Sequence, residues 1–294
     1  MKKLIVLIIA IVFLNACKKD DSSIPSLKNS DKVSASVSKP YVIPDSALIN
    51  PSAKWLGVTH GNMSAICATQ WGLNTIRINN ISKASLMPDV YDVQGPIPYT
   101  NVWYHGWAQI INGIWAWGNA DMACKNNIQG YGLNSKSSNY YFSHGNPGYG
   151  DWYMGYASHY MEDCGNAWHT SLSIPQFTCH FNYEQWVAEN WTSGHNFSST
   201  VINDFYYYVV IDPAKSTRNL ATYSNSKNNT IYKAYINSGY PTTAGTGNQI
   251  LINETRNLLF QTARYIKGLY KYTLDKNNAW NVTYAKSVDI KPNI

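Results

Sequence analysis

Five side chains that could bind a metal ion lie close together in one part of the chain. His159 and Asp163 are four residues apart, and His180 and Glu184 repeat that spacing on a second segment, with His169 between the pairs. On a helix, positions i and i+4 project from one face, so each pair can hold one metal ion. Imidazole nitrogen and carboxylate oxygen are good zinc ligands, and a catalytic zinc site keeps an open position for water. The spacing therefore predicts a zinc site.

Four further candidate ligands lie on the N-terminal side of this cluster. Trp55 and His60 open the aromatic-rich part of the chain, Asp89 follows Met-Pro in a predicted turn, and His105 is placed on the next predicted helix. With the five later residues they make a set of nine candidate ligands. A set of this size predicts more than a structural zinc ion, because a structural zinc site is closed by four ligands.

The elements that must position these residues are predicted to be helices. Apolar residues recur at helical spacing in the stretches 60–71, 101–124, 149–164, 178–191, 201–211 and 247–274. The Gly- and Asn-rich stretches 130–150 and 223–229 are predicted to be loops. Strand alternation is not sustained, apart from the ambiguous run 206–211. We therefore predict an all-α fold, a single compact multi-helix domain.

The nine-residue set resembles that of the zinc-dependent phospholipase C family, which is related to the single-strand nucleases of the S1/P1 type. The resemblance covers residues 55–294, and its most specific part runs from His159 to Glu184. It implies one all-α domain around a trinuclear zinc cluster, with up to three zinc ions as cofactors. The implied ligands are Asp89, His105, His159 and Asp163 for one ion, Asp163, His60 and the backbone of Trp55 for a second, and His169, His180 and Glu184 for a third.

The set of candidate ligands has features of both branches of this family. Glu184 and the Met-Pro-Asp89 segment resemble the phospholipases, whereas the short spacing from Trp55 to His60 resembles the nucleases. The long step that follows Asp89 keeps Asp92 as a competitor for the same role.

The position of Trp55 departs from the family pattern. In the family the tryptophan is the mature N-terminus and its free amine binds zinc, but Trp55 follows Cys17 after a long segment, so its nitrogen is an amide. Either the chain is cut again after Lys54, or the ion is bound more weakly through the Trp55 carbonyl and side chains.

The resemblance implies hydrolysis of a phosphodiester by a zinc-activated water. Asp89 and Asp163 are the predicted catalytic residues: Asp89 would orient or deprotonate the water, and Asp163 would bridge the close metal pair. Tyr91, Trp103 and Tyr104 lie beside predicted ligands in the sequence and are candidate substrate-binding residues that could form an aromatic wall around a choline cation. Core packing is the alternative role for these three aromatic residues.

The N-terminus predicts export and lipidation. Two lysines precede the apolar run 4–14, which makes a charged n-region and a short h-region, and the run ends in Leu-Asn-Ala-Cys17, which resembles a bacterial lipobox. We predict a lipoprotein signal peptide over 1–16, lipidation of Cys17, and a flexible tether over 17–54, because this polar segment cannot bury enough apolar surface to fold. The Lys-Lys-Asp-Asp sequence after Cys17 resembles an export tag and predicts an outer-membrane lipoprotein exposed on the cell surface. The catalytic domain is predicted to span 55–294.

Four cysteines remain in the predicted domain. They are Cys67, Cys124, Cys164 and Cys179. An even number in an oxidising compartment predicts two disulfides, with the three pairings left open.

The composition narrows the class of partner. The net charge is +6, yet only 14% of the residues are charged, which is not the dense basic surface of a nucleic-acid-binding protein. The predicted partners are therefore a phospholipid or other phosphodiester substrate and the membrane that holds the lipid anchor. Three functions stay open: a phospholipase C, a nuclease or nucleotidase of the same fold, and a non-catalytic surface lipoprotein that binds glycan or lipid. His144 and His195 are predicted to be exposed loop residues without a catalytic role.

Overall fold

The computed structural model of the protein describes residues 54–89, 105–109, 116–131 and 136–282, and these residues are mainly helical. The helices are α1 (Lys54–Gln70), α2 (Thr75–Ala84), α3 (Ala120–Gln129), α4 (Ser138–Ser143), α5 (Pro147–Gly165), α6 (Ile174–Glu189), α7 (Ser198–Ile202), α8 (Pro213–Asn237) and α9 (Gln249–Lys276), with a 3-10 helix at Ala167–Thr170. Two short antiparallel strands, β1 (Ala108–Gln109) and β2 (Ala116–Trp117), pair Ala108 with Trp117. The prediction of an all-α fold is confirmed, since these strands are only two residues long.

Helix α5 lies in the core of the domain. It begins at Pro147, where the missing backbone N–H costs no hydrogen bond because the first turn has no intrahelical acceptor for it. Met154 and Met161 are completely buried on this helix, and His159 and Asp163 are buried with them. A helix that is buried nearly all round carries its polar residues into the interior, where they require partners.

A close contact between α2 and α5 determines how near the predicted ligand His159 lies to the end of α2. At Gly155, a Cβ atom would collide with the backbone carbonyl of Ile81 in α2, so only glycine lets the two helices approach this closely. His159 lies one turn further along α5, and its Nδ1 atom donates to the carbonyl oxygen of Ser85, the residue that ends α2, at 2.8 Å. The glycine thus brings His159 within reach of the end of α2.

The last two long helices are started by side-chain caps. Asp212 accepts hydrogen bonds from the backbone N–H groups of Ala214 and Lys215 at the start of α8. Asn248 accepts from the N–H of Leu251 at the start of α9. Both are favoured residues at this position because the side-chain oxygen satisfies an N–H that has no partner inside the helix. Helices α8 and α9 pack against α5 and cover much of the core.

Four of the predicted helical stretches coincide with helices of the structure. The stretches 60–71, 149–164, 178–191 and 247–274 correspond to α1, α5, α6 and α9. In α9 most of the predicted apolar stripe is buried: Leu251, Ala263, Ile266 and Leu269 are completely buried, whereas Ile250 at the start of the helix is exposed. Helical periodicity was a sufficient signal in these stretches because apolar residues recur along each of them at the three- and four-residue steps of a helix.

The predicted loop at 223–229 is wrong, since these residues lie inside α8. Ser and Asn have low intrinsic helix propensity, but here they find partners across the helix interface. Ser224 is completely buried and donates to the carbonyl oxygen of Gly165 at 3.2 Å, and Asn225 donates to the carbonyl oxygen of Thr170. The predicted loop at 130–150 is also wrong in part, because it contains α4 and the first residues of α5.

The predicted helix at 201–211 is wrong beyond Ile202, where α7 ends. Asp204 turns inward and accepts two hydrogen bonds from Arg264, at 2.8 and 3.0 Å. The backbone N–H of Tyr208 then donates to the carbonyl oxygen of Arg264 at 3.1 Å. This attachment to α9 holds the segment in a non-helical conformation.

The predicted helix at 101–124 is wrong for the described residues before Ala120. His105 lies just before β1, and the backbone N–H of Trp107 donates to the carbonyl oxygen of His169 at 3.3 Å. This contact with the 3-10 helix replaces a helical hydrogen bond. Helix α2, which contains a buried arginine, was not predicted.

The prediction of two disulfides is not supported, because all four cysteines of the described domain are free thiols. The Cys67 thiol is directed to the carbonyl oxygen of Ala263 in α9, at 3.7 Å. Burial raises the pKa of Cys67 and of Cys124 to about 12, so both stay protonated at neutral pH. Cys67, Cys124 and Cys164 are completely buried in the core and pack there as small apolar side chains.

Several predictions concern residues outside the described ranges. They are the signal peptide over 1–16, the lipidated Cys17, most of the tether over 17–54, the competitor Asp92, and the candidate substrate-binding residues Tyr91, Trp103 and Tyr104. Lys54 and Trp55 form the first turn of α1. Among the described helices, none combines the length and the apolar character needed to cross a membrane.

Candidate metal centre

The structure gathers eight of the nine predicted ligands into three groups. In each group, one potential ligand atom per residue lies within 4.8 Å of the others. The groups are His60, His159 and Asp163 (group A), Asp89, His105 and His159 (group B), and His169, His180 and Glu184 (group C). The ninth, Trp55, lies in α1 five residues before His60, and its side chain is outside the described part. All eight are buried.

Asp163 connects the groups. Its Oδ1 atom is 3.5 Å from His60 Nε2, and its Oδ2 atom is 2.8 Å from His105 Nδ1 and 3.2 Å from His159 Nε2. Oδ1 also lies 3.8 Å from His169 Nδ1. The two oxygen atoms therefore face different groups, which is the arrangement required of a carboxylate that bridges two metal ions.

Group B combines residues that are distant in the sequence. His159 Nε2 lies 3.4 Å from Asp89 Oδ1 and 3.1 Å from His105 Nδ1. His159 donates its other ring nitrogen to Ser85, so in a neutral imidazole the Nε2 atom carries a lone pair. A lone pair directed at a second imidazole nitrogen and at two carboxylates requires a proton or a cation between them. Group B thus has the donor chemistry of a cation site.

Group C is formed by the 3-10 helix and α6. His169 Nε2 lies 2.9 Å from Glu184 Oε1, and His180 Nε2 lies 4.0 Å from Glu184 Oε2. Asn166 donates to the same Oε1 atom at 2.5 Å, which fixes the carboxylate. The spacing of His180 and Glu184 predicted that they would share one face of a helix, and α6 places them so.

Two carboxylate oxygens of the centre lack hydrogen-bond partners among the described residues. They are Asp89 Oδ2 and Glu184 Oε2, and both atoms are buried. A buried carboxylate oxygen without a donor costs free energy, so such atoms need a ligand that removes the cost. Their positions in groups B and C fit a metal ion at each site, and the mixed imidazole and carboxylate set fits zinc.

Proximity of opposite charges shifts the pKa values of the centre in opposite directions. Burial lowers the pKa of His159, but Asp163 and Asp89 outweigh it and hold that pKa well above the usual value. Burial lowers the pKa of His169 as well, yet Asp163 and Glu184 raise it to about 10. Conversely, burial raises the pKa of Asp163, and the neighbouring histidines hold it well below its usual value. A metal ion would compete with protons for these nitrogens.

The histidines are oriented by hydrogen bonds from their second ring nitrogen. His169 Nδ1 donates to the carbonyl oxygen of His105 at 2.6 Å, as His159 Nδ1 does to Ser85. His60 Nδ1 donates instead to the side chain of Glu162, at 2.6 Å. Such partners fix the ring orientation and the tautomer of a metal ligand. Each of the three histidines therefore presents Nε2 to its group.

Ligand spacing in the sequence does not indicate a role for Glu162 or Asn166. Glu162 is adjacent to Asp163, and consecutive residues of a helix point in different directions, so ligand spacing does not select it. Asn166 ends α5 and takes part through a turn that only the fold defines. The remaining histidines belong to none of the three groups: His144 is exposed at the end of α4 and donates to Tyr140 O, and His195 is half-buried and donates to Thr246 O.

A cavity extends from the ligands into the domain. Its empty volume, which includes space open to solvent, is about 530 Å³. Its lining includes the ligands His60, Asp163 and Glu184. Apolar residues also line it, namely Met63, Val187, Leu258 and Leu259, together with polar residues that include Glu162, Asn166, Tyr183 and three threonines. The centre therefore adjoins a partly apolar space.

Comparisons with known proteins give little beyond this geometry. No protein-family model matches the chain, and no curated protein matches it. Among solved structures, the chain is similar to the alpha-toxin of Clostridium perfringens from an avian strain, with a TM-score of 0.45 and 10% sequence identity. The alignment covers 78% of this chain and 65% of the toxin chain, less than two thirds of the toxin's length. A likeness at this level carries no argument about activity, so the functional case rests on the ligand groups.

Proposed function

We propose that the protein is a zinc-dependent phosphodiester hydrolase, a phospholipase C that releases a phosphorylated head group from phospholipid. The observation that carries the proposal is the set of three ligand groups linked by His159 and Asp163. An isolated structural zinc site would be closed by four protein ligands. Here eight residues serve three groups, with Asp163 placed to serve two of them, so each ion would have three protein ligands on average, which leaves positions for solvent and substrate.

The three groups would bind the zinc ions in different ways. Asp163 would be shared between groups A and B, because its two oxygens face them separately. Group C would hold a further ion through His169, His180 and Glu184. Bound zinc ions would supply positive charge for the additional negative charge of a five-coordinate phosphorus and would lower the pKa of water.

Two side chains of the centre have properties that the reaction requires. Asp89 has a buried oxygen without a hydrogen-bond partner among the described residues, so this oxygen is available to accept a hydrogen bond from the attacking water. Asn166 donates to Glu184 and leaves Glu184 Oε2 directed to group C. Asp89 would thus orient the water, and Asn166 would keep the ligand Glu184 in place.

The choice of a lipid substrate rests on the cavity. Its apolar lining residues, which include Met63, Leu258 and Leu259, favour a substrate with an apolar part, as a phospholipid has. Glu184 at the last ligand position also follows the phospholipase branch of the family that the sequence resembles. The nuclease is retained as the second candidate because the short spacing from Trp55 to His60 follows the other branch.

The cellular setting is part of the same proposal. Lipidation of Cys17 would hold the enzyme on the outer membrane, close to a membrane substrate, and two or more acyl chains would be needed for stable anchoring. Metabolic labelling with a radioactive fatty acid tests this, with Cys17→Ser as the control. Label that persists in the variant would reject Cys17 as the lipidation site. N-terminal sequencing of native protein would show whether the chain is cut after Lys54.

The experiment that tests the function compares two substrates. Zinc-loaded protein lacking the lipid anchor would be incubated with phosphatidylcholine liposomes and with single-stranded DNA, each with and without a chelator. Chelator-sensitive release of phosphocholine is the expected result. Chelator-sensitive cleavage of DNA alone would move the protein to the nuclease class, and stoichiometric zinc binding without hydrolysis of either would favour the non-catalytic binding protein.

A further inference from the structure

We propose that Glu162 is a positioning residue for the metal centre, which holds His60 in the orientation and tautomer that group A requires. The proposal rests on the metal binding that the proposed function includes, and it is independent of which phosphodiester is cleaved. Nothing in the ligand spacing of the sequence assigns a role to Glu162. Its role follows from the bonds that it makes in the folded chain.

The two ring nitrogens of His60 have separate partners. Nδ1 donates to Glu162 Oε2 at 2.6 Å, and Nε2 lies 3.5 Å from Asp163 Oδ1 in group A. Both His60 and Glu162 are buried, with 7% and 6% of their surfaces exposed, so water does not screen this contact. The carboxylate therefore selects the tautomer in which Nε2 has a free lone pair for a metal ion.

Glu162 is itself fixed by a buried hydroxyl network. Ser64, one turn after His60 on α1, donates to Glu162 Oε1 at 2.7 Å. The Tyr270 hydroxyl, on α9, donates to Ser64 Oγ at 3.0 Å, and Ser158 on α5 lies 2.9 Å from Ser64 Oγ. Three helices thus hold one carboxylate. A side chain with both oxygens bonded in this way has little freedom to turn toward the metal site.

The same bonds argue that Glu162 is not a ligand. Both of its oxygens accept hydrogen bonds from the protein, whereas Asp89 and Glu184 each keep a buried oxygen without a partner among the described residues. His159 and His169 donate to neutral backbone carbonyls. The acceptor of His60 is charged, which makes the imidazole more electron-rich and a stronger ligand.

The test replaces Glu162 in the full chain and measures metal binding directly. Glu162→Gln keeps the size of the side chain and removes its charge. We expect one of the metal ions to bind about 10- to 100-fold more weakly, because loss of an outer hydrogen-bond partner has this effect in other metal sites. Affinities would be measured by competition with a chromogenic chelator. Cobalt loading would give a second readout, since the visible absorption of the affected site should change.

Further variants separate positioning from a general structural role. Glu162→Asp, which restores the charge, should recover part of the affinity, and Ser64→Ala should weaken the same ion by less than Glu162→Gln does. The control is Glu189→Gln, the same substitution at an exposed residue of α6, which should change neither affinity nor spectrum. Unchanged affinities and an unchanged cobalt spectrum in Glu162→Gln would overturn the proposal. Should that variant fail to fold, unchanged affinities in both Glu162→Asp and Ser64→Ala would overturn it equally.

The test of Glu162 can be distinguished from the test of the proposed function. If the wild-type protein binds metal but hydrolyses neither lipid nor DNA, the proposed function fails while the affinity comparison still decides the role of Glu162. If the wild-type protein binds no metal, both proposals are rejected together. A selective loss of one ion in Glu162→Gln supports the positioning role whatever the substrate.

Discussion

Asp163 is the residue on which most of the centre depends. Its two carboxylate oxygens face histidines of different groups, and it is 2% exposed. The neighbouring histidines hold its pKa well below the usual range despite the opposing effect of burial, so it stays ionised at neutral pH. A single charged residue therefore balances several imidazoles and any metal ion that they bind.

Asp163→Asn should remove at least one bound zinc ion and abolish hydrolysis. The amide presents one oxygen instead of two and has no charge, so it cannot bridge two sites. Elemental analysis of the purified protein and the hydrolysis assay measure the two effects. Asp275→Asn, the same change at an exposed position of α9, should leave both unaffected. Full zinc content in Asp163→Asn would contradict the bridging role.

Helix α5 supplies ligands to the centre and also forms the middle of the core. It contains both His159 and Asp163, and it approaches α2 closely at Gly155. The helical period of α5 was predicted correctly because its apolar residues and its ligands both recur at helical spacing. The closeness of α2 and α5 depends on a glycine whose importance appears only in the packed structure.

Gly155→Ala should destabilise the protein by about 1–3 kcal/mol, as overpacking in a core usually does. Intrinsic helix propensity alone would predict the opposite sign, a gain of up to about 1 kcal/mol. Packing should win, because the added methyl group would meet the backbone carbonyl of Ile81 rather than a flexible side chain. Urea unfolding of the variant and of the wild type decides between the two. A rise in the free energy of unfolding would show that α2 can move away at no cost.

At the scale of the molecule, the centre holds together segments that are far apart in the chain. Its ligands come from α1, α5, α6, the 3-10 helix, the segment before β1 and the residues after α2. Three histidines and two carboxylates converge in groups A and B alone, and none of these side chains could converge in an unfolded chain. Metal binding and folding should therefore be linked.

Removal of zinc should lower the thermal unfolding midpoint. A ligand that binds only the folded state stabilises it by about 2.7 kcal/mol when its free concentration is 100 times its dissociation constant. The midpoint should therefore fall on addition of a chelator and rise again with excess zinc. Calorimetry at fixed pH measures both changes. Equal midpoints in the two states would argue against metal binding to the folded protein.

Stability should also fall at alkaline pH, because several tyrosines are buried in the core. Burial raises the pKa of Tyr235, Tyr265 and Tyr270 above the usual value of about 10. Between the unfolded and the folded pKa the native state binds more protons, so this contribution is complete below about pH 10 and is lost as the pH rises further. Urea unfolding across this range, with tyrosinate absorbance recorded in parallel, measures the effect. Constant stability while the tyrosines ionise would contradict it.

The sequence by itself determined the ligand types and the helices with strong periodicity. The His-x3-Asp and His-x3-Glu pairs could be predicted to share a helix face because residues one turn apart project from the same side of a helix. The apolar stripe of α9 could be predicted for the same reason. Eight of the nine predicted ligands are brought together in the structure, although their roles stay predictions. The helical class follows equally from short-range periodicity.

The tertiary structure decided what depends on partners distant in the chain. The 223–229 segment is helical because Ser224 and Asn225 bond to residues around the 3-10 helix, which outweighs their low helix propensity. The 203–212 segment is not helical because Asp204 is drawn to Arg264 in α9. Glu162 gains its role only when α1 brings His60 against it. Local sequence fixes periodicity and chemistry, whereas the partner of a buried polar group is known only once the chain has folded.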